Sequence, residues 1–284
     1  MNSLLLAVSI SSVVLQNAVF NKVSKEKLKE KSDIYKFNLY TYLVAFALFL
    51  ISALGESISF YTVALAVVFG LTTFVSYLFK MRALASGPMH ITILITTASM
   101  IIPALSGAVM FGESFSFLKG VAIIFLIFFI FLSNSKNKSE KGIEKMWLMY
   151  CLITFVAQGT IGVLQKIHQA SAHKNELGVF LAVSFICSVI FSSIMNKKSG
   201  GSFHLEKSSF LMACFCGICT FTMNFLNLKL SGIIPSQIFF PLVNGGAIIL
   251  TALVSVVVFK EKLNIKQLAG LIGGILSLIA ICIL

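Results

Sequence analysis

Long apolar stretches alternate with short polar ones along this chain, and within the apolar stretches there is no strict in-out alternation of side chains. Hydropathy places them at 2–20, 37–54, 60–82, 88–111, 116–134, 146–165, 177–195, 208–228, 233–259 and 267–284. Each has the roughly 17–25 residues that a helix needs to cross the hydrocarbon core of a bilayer. Barrel strands would be shorter and would alternate apolar with polar positions. The pattern predicts an all-α membrane protein of ten transmembrane helices, with longer connections only at 21–36, 135–145, 166–176 and 196–207. Spans and connections together use the whole chain, so no soluble catalytic domain is expected.

The second half repeats the first. A shift of 147 to 150 residues brings Val14-Leu15-Gln16 onto Val163-Leu164-Gln165, Thr73-Phe74 onto Thr220-Phe221 and Pro88 onto Pro235. The same shift brings Phe111-x-Glu113 onto Phe259-x-Glu261 and Gly120 onto Gly270. The expected organisation is a first five-helix repeat over 1–134, a linker over 135–145 and a second five-helix repeat over 146–284. Internal duplication of this kind is frequent in secondary transporters.

Five helices per unit is an odd number, so the second unit enters the membrane inverted. The lysines carry that inversion. Connection 1 holds Lys22, Lys25, Lys27, Lys29, Lys31 and Lys36, whereas its repeat partner, connection 6, holds Lys166 and Lys174. Connection 2 has no basic residue, while its partner has Lys197, Lys198 and Lys207; Lys119 stands alone against Lys260, Lys262 and Lys266. The bias reverses between halves, as the positive-inside rule requires of an inverted pair. Odd-numbered connections hold 18 of the 22 basic residues, which puts them in the cytoplasm and both termini outside.

Composition agrees with a lipid environment: 58% of residues are hydrophobic and 11% charged, against roughly a quarter charged in soluble domains. A net charge of +12 raises the question of nucleic acid. Arg82 is the only arginine, however, and the lysines border apolar runs, so nucleic-acid binding is not expected. Cys214-x-Cys216-x-x-Cys219 has no histidine nearby and lies in an apolar run, where small core residues explain it better than a metal site. The first residues lack the basic segment of a signal peptide and read as a membrane span.

Candidate chemistry concentrates in the matching spans 4 and 9, which hold all four prolines: Pro88, Pro103, Pro235 and Pro241. Pro88 and Pro235 fit a first helical turn. Pro103 and Pro241 are interior, where a proline frees a carbonyl and bends the helix. Bends at corresponding places in two repeats point to a binding site near the membrane midplane. Polar residues within spans also fall in pairs under the repeat shift: Gln16 with Gln165, Tyr77 with Asn224, His90 with Gln237, Thr97 with Asn244. Gln158 and Asn227 join them. Each alone could be an interhelical hydrogen bond worth about 1 kcal/mol. Together, on spans 1, 3, 4, 6, 8 and 9, they outline a polar substrate-binding cavity.

No Asp or Glu falls near the middle of a span. Glu113 and Glu261 lie at span ends near lysines and read as structural pairs or caps. His90 is the one titratable group expected in the cavity. No phosphate loop, catalytic triad, metal-ligand set or cofactor motif is present, so the chain is not expected to be an enzyme or to carry a cofactor.

The repeat-end motifs Phe111-Gly-Glu113 with Gly120, and Phe259-Lys-Glu261-Lys with Gly270 and Gly273-Gly274, resemble those of EamA-type permeases in the drug/metabolite transporter superfamily. The stretch Pro241-Leu-Val-Asn244-Gly245-Gly246 through Glu261 is the nearest piece. Span 6 departs from the pattern, with Gln158-Gly159 where many relatives carry Trp-Gly. The resemblance implies a helical basket around a central cavity that works by alternating access in the bacterial inner membrane, with both termini cytoplasmic. It implies a small-molecule substrate, a proton or other coupling ion, and a monomer or homodimer. The acid-poor cavity suits a neutral or zwitterionic metabolite such as an amino acid. Alternative functions are a non-transporting membrane subunit that partners an enzyme or flippase, and a multidrug exporter, which would ordinarily need a buried acid.

Overall fold

The computed structural model describes residues 2–26, 31–87, 89–113, 116–133, 145–257 and 265–283. Among these, the secondary structure is helical throughout: α1 Asn2–Glu26, α2 Lys31–Ser52, α3 Phe60–Ser86, α4 Met89–Thr97, α5 Ile101–Phe111, α6 Phe117–Ser133, α7 Lys145–Ala170, α8 Leu177–Lys198, α9 Lys207–Ser231, α10 Ser236–Val257 and α11 Ile265–Ile283. A 3₁₀ turn, Ala98–Met100, joins α4 to α5.

Six of these helices are long and apolar enough to cross a membrane: Ser3–Ser24, Ser32–Ser52, Phe60–Ser86, Lys145–Ala170, Leu177–Lys198 and Lys207–Ser231. Ile95–Phe111, Phe117–Phe129, Ser236–Leu250 and Leu268–Ile281 are shorter apolar helices. The molecule has the make-up of a helical, membrane-embedded protein. Large apolar side chains such as Val109 and Phe117 stand more than 80% exposed, a surface that suits lipid.

Helices outrun their apolar stretches. The expected connection 21–36 is helical over 21–26 and 31–36, and the expected connection 166–176 shrinks to 171–176. Lys, Glu and Gln propagate a helix well, so the backbone continues where hydropathy has already fallen. The linker 135–145 falls outside the described residues apart from Lys145, which opens α7. Pro88, Glu261 and the other residues of 258–264 also lie outside them.

The two interior prolines differ. Pro103 sits in the first turn of α5, directly after the 3₁₀ turn, and has no N–H to offer the Ser99 carbonyl. The backbone tightens there without leaving the helical region, with ψ −30° at Thr97 and −21° at Met100. Pro241 lies inside α10, which continues unbroken from Ser236 to Val257.

Helix α3 packs on α7 and α8, and α9 on α1 and α2; α2 meets α8, α5 meets α10, and α6 meets α11. Aromatic side chains fill the centre, with Phe49 and Phe69 fully buried beside Phe180 and Phe185. Lipid is as apolar as these side chains, so close approach must hold such helices together. Gly70 supplies it between α3 and α8: a Cβ there would collide with the Ser184 carbonyl oxygen. Ser188 Oγ donates to the Gly70 carbonyl at 2.8 Å. Gly217 does the same between α9 and α2, where a Cβ would come within 2.6 Å of Val44 and 2.9 Å of the Thr41 carbonyl oxygen.

Candidate functional site

A cavity of about 130 Å³ lies between α1, α3, the α4–α5 segment, α7, α9 and α10. At about 30 Å³ per water it has room for about four waters, the scale of a small metabolite. Of the residues expected at the site, Gln16, Tyr77, Thr97, Gln158, Gln165, Asn224 and Asn244 all line it, with Pro103 and Asn227. Gln237 does not; it sits buried at the start of α10. Pro241 is not among the lining residues either. The side chain of His90 lies outside those described.

The lining is partly tied down. Gln16 Nε2 donates to Thr220 Oγ1 at 2.5 Å, bridging α1 and α9, with the Tyr77 hydroxyl at 3.4 Å. Ser9 Oγ donates to Asn227 Oδ1 at 2.5 Å. Asn224 and Asn244 each donate to the carbonyl one turn back, at Thr220 and Phe240. Two other lining hydroxyls, Thr73 Oγ1 and Ser76 Oγ, are buried without a hydrogen-bond partner.

Lys80 is a titratable group in the cavity that the sequence pattern does not single out, His90 being the one expected there; α3 runs on to Ser86, and Lys80 turns into the cavity with 8% of its surface exposed. Its ammonium donates to Asn17 Oδ1 at 2.6 Å, and among the described residues it has no acidic partner. Nor does any carboxylate line the cavity among the described residues. A signal was present: Thr73, Ser76, Tyr77 and Lys80 recur at the spacing of one helix face.

One end of the bundle is organised differently, by three carboxylates that each cap a helix from another segment. Glu56 accepts from the Gly178 and Val179 backbone N–H groups at 3.0 and 2.9 Å, at the start of α8. Glu113 accepts from the Ser236 N–H at 2.8 Å, at the start of α10, and pairs with Lys166 at 2.6 Å. Lys166 also donates to the Ser231 carbonyl at 3.1 Å. Glu176 accepts from the Ser59 N–H at 3.2 Å and the Ser59 hydroxyl at 2.7 Å, at the start of α3, and from the Ser57 hydroxyl at 3.0 Å. Burial pushes its carboxyl up, but hydrogen bonds from Thr62, Ser59 and Ser57 outweigh that and hold it down at about 2. Carboxylates suit helix N-termini, where unpaired N–H groups and the positive end of the helix dipole meet them.

Fold and cavity together define a helical, membrane-embedded protein with a polar chamber. No protein-family model matches the chain, and no curated protein does. Among solved structures 28 chains match. One, described only as "Crystal structure of protein", is similar at a TM-score of 0.75 with 12% identity, over 98% of this chain and 95% of that one. At that identity the likeness shows the fold alone, over nearly the full length of both chains.

Proposed function

We propose that this protein is a secondary transporter of the EamA type. It moves a small neutral or zwitterionic metabolite, such as an amino acid, across a bacterial inner membrane by alternating access. Its architecture in this reading is ten transmembrane helices arranged as two inverted five-helix repeats, the α4–α5 segment counting as one span. The observation that carries the reading is one cavity lined by polar side chains from both halves.

Helix packing supports the repeat. Exchanging α1 with α7, α2 with α8, α3 with α9, α4–α5 with α10 and α6 with α11 turns the α3–α7 contact into α9–α1 and α3–α8 into α9–α2. The α2–α8, α5–α10 and α6–α11 contacts map onto themselves. Gly70 and Gly217, which permit the two exchanged contacts, are separated by the same 147 residues as Thr73 and Thr220. A site at the junction of two inverted units is where rocking of one against the other exposes it alternately to each side. The tightened turn before Pro103 gives one wall of the cavity a place to flex.

Purified protein reconstituted in lipid vesicles and assayed with a panel of labelled metabolites tests this. Flux of at least one metabolite is expected. Absence of flux for every one, from protein shown to be folded, would favour a non-transporting membrane subunit instead.

A further inference from the structure

We propose that the cavity takes a ligand bearing a carboxylate, and that Lys80 is its counter-charge. The proposal rests on the cavity being the substrate site of the transporter described above, and it narrows that substrate to a carboxylate-bearing metabolite.

Lys80 is buried in the cavity wall, and an ammonium carries three donors, of which Asn17 takes one. A buried charge with one neutral partner is costly to hold, and among the described residues no acid compensates it. The same helix face offers two more donors without partners: the Ser76 hydroxyl one turn away and the Thr73 hydroxyl about 10 Å along the axis. The hydroxyls can donate or accept, so the ammonium sets the sign: with one neutral partner and no acid among the described residues, what it lacks is an anionic acceptor. A single positive charge matches a single negative one. Arg82, the one arginine, is engaged elsewhere, donating to the Tyr35 hydroxyl at 2.8 Å, so a dianion such as phosphate would find no second cation from it. The ligand's carboxylate sits at Lys80, and its body runs along Ser76, Tyr77 and Thr73. The amide oxygens of Gln158 and Gln165 on the facing helix α7 can accept from an amino group, which keeps amino acids within the class.

The test uses the full chain purified in detergent, with melting temperature measured against matched pairs of probes. Each pair is a small carboxylate (L-alanine, L-leucine, lactate) and its carboxamide, with inorganic phosphate as a third arm. At least one carboxylate should raise the melting temperature while its carboxamide does not. Lys80→Met should weaken that binding about tenfold to a hundredfold, and Lys80→Arg should keep part of it. Lys80→Met removes an uncompensated charge, so its unliganded melting temperature should equal or exceed that of the parent. Equal binding of carboxamide and carboxylate, unchanged binding by Lys80→Met, or stabilisation by phosphate alone would each overturn the proposal. Vesicle flux separates the two readings. Lys80-dependent carboxylate binding without any flux retains the carboxylate site at Lys80 and removes the transporter. Flux of neutral compounds that Lys80→Met leaves intact does the reverse.

Discussion

Two buried lysines occupy related rows of the two halves and keep different company. Lys80 and Lys166 are 8% and 9% exposed. Lys80 lies 147 residues before Asn227, and Asn17 lies 149 before Lys166, so both halves carry a lysine and an asparagine in matching rows. In the first half the pair is joined, Lys80 to Asn17. In the second, Lys166 is bound by Glu113 at the carboxylate-tied end, and Asn227 accepts from Ser9. A buried cation that has found a carboxylate is part of the framework. One that has found only an amide retains the capacity to bind something else.

The largest expected effect follows from cutting the framework pair. Lys166→Met should lower unfolding stability by about 3 kcal/mol, since it strands the Glu113 carboxylate beside Ser236. Adding Glu113→Gln should recover a good part of that, as the uncompensated charge is removed. Denaturant unfolding in detergent measures both. Should Lys166→Met prove as harmless as Lys80→Met, the distinction between the two lysines is lost.

Acid sensitivity sharpens the contrast between the tied end and the cavity. Glu176 titrates near 2 when folded against an ordinary 4.5. A depressed carboxyl stabilises the fold fully above its unfolded value, and the contribution is lost as pH falls toward the folded one. Stability should therefore drop by something on the order of 3 kcal/mol between pH 4.5 and pH 2, and Glu176→Gln should flatten that limb. Melting curves across this range are the measurement. An acid limb unchanged by Glu176→Gln would place the sensitivity elsewhere.

The smallest effect belongs to the cavity wall. Gln16→Leu removes the bridge to Thr220 and should cost no more than about 1 kcal/mol, as interhelical hydrogen bonds in membranes usually do. Its transport rate should fall much further than its stability. Loss of both together would make Gln16 a framework residue like Glu113.

Hydropathy sees net apolarity along a segment, and so it marks where helices lie but stops α1 six residues early, starts α2 six residues late, and misses which way side chains turn. A lysine near the edge of an apolar run looks the same whether it reaches out to the headgroups or, as Lys80 does, turns into a cavity. The repeat shift did better with direction, because residues paired by it, such as Gln16 with Gln165 and Tyr77 with Asn224, share one chamber. Of the three carboxylate caps, only Glu113 is marked in the sequence, by its place at a span end near a lysine, and its partners Ser236 and Lys166 are not. Glu176 and Ser59 are 117 residues apart, Glu56 and Gly178 122, and nothing local marks either as half of a pair. Interior prolines in the matching spans 4 and 9 suggest matching bends, yet they stand 138 residues apart, off the repeat shift, and the chain tightens before Pro103 and runs on through Pro241.

The trans-helix caps have a kinetic consequence. A helix capped by its own loop can fray alone, but α8 and α10 each begin on a carboxylate that belongs to another segment, and Ser59, which caps α3, is itself held by Glu176. Opening any one start releases an acid elsewhere. In amide hydrogen exchange, the first turns of these three helices should therefore lose protection together, as one cooperative unit, and not piecemeal as ordinary helix ends do.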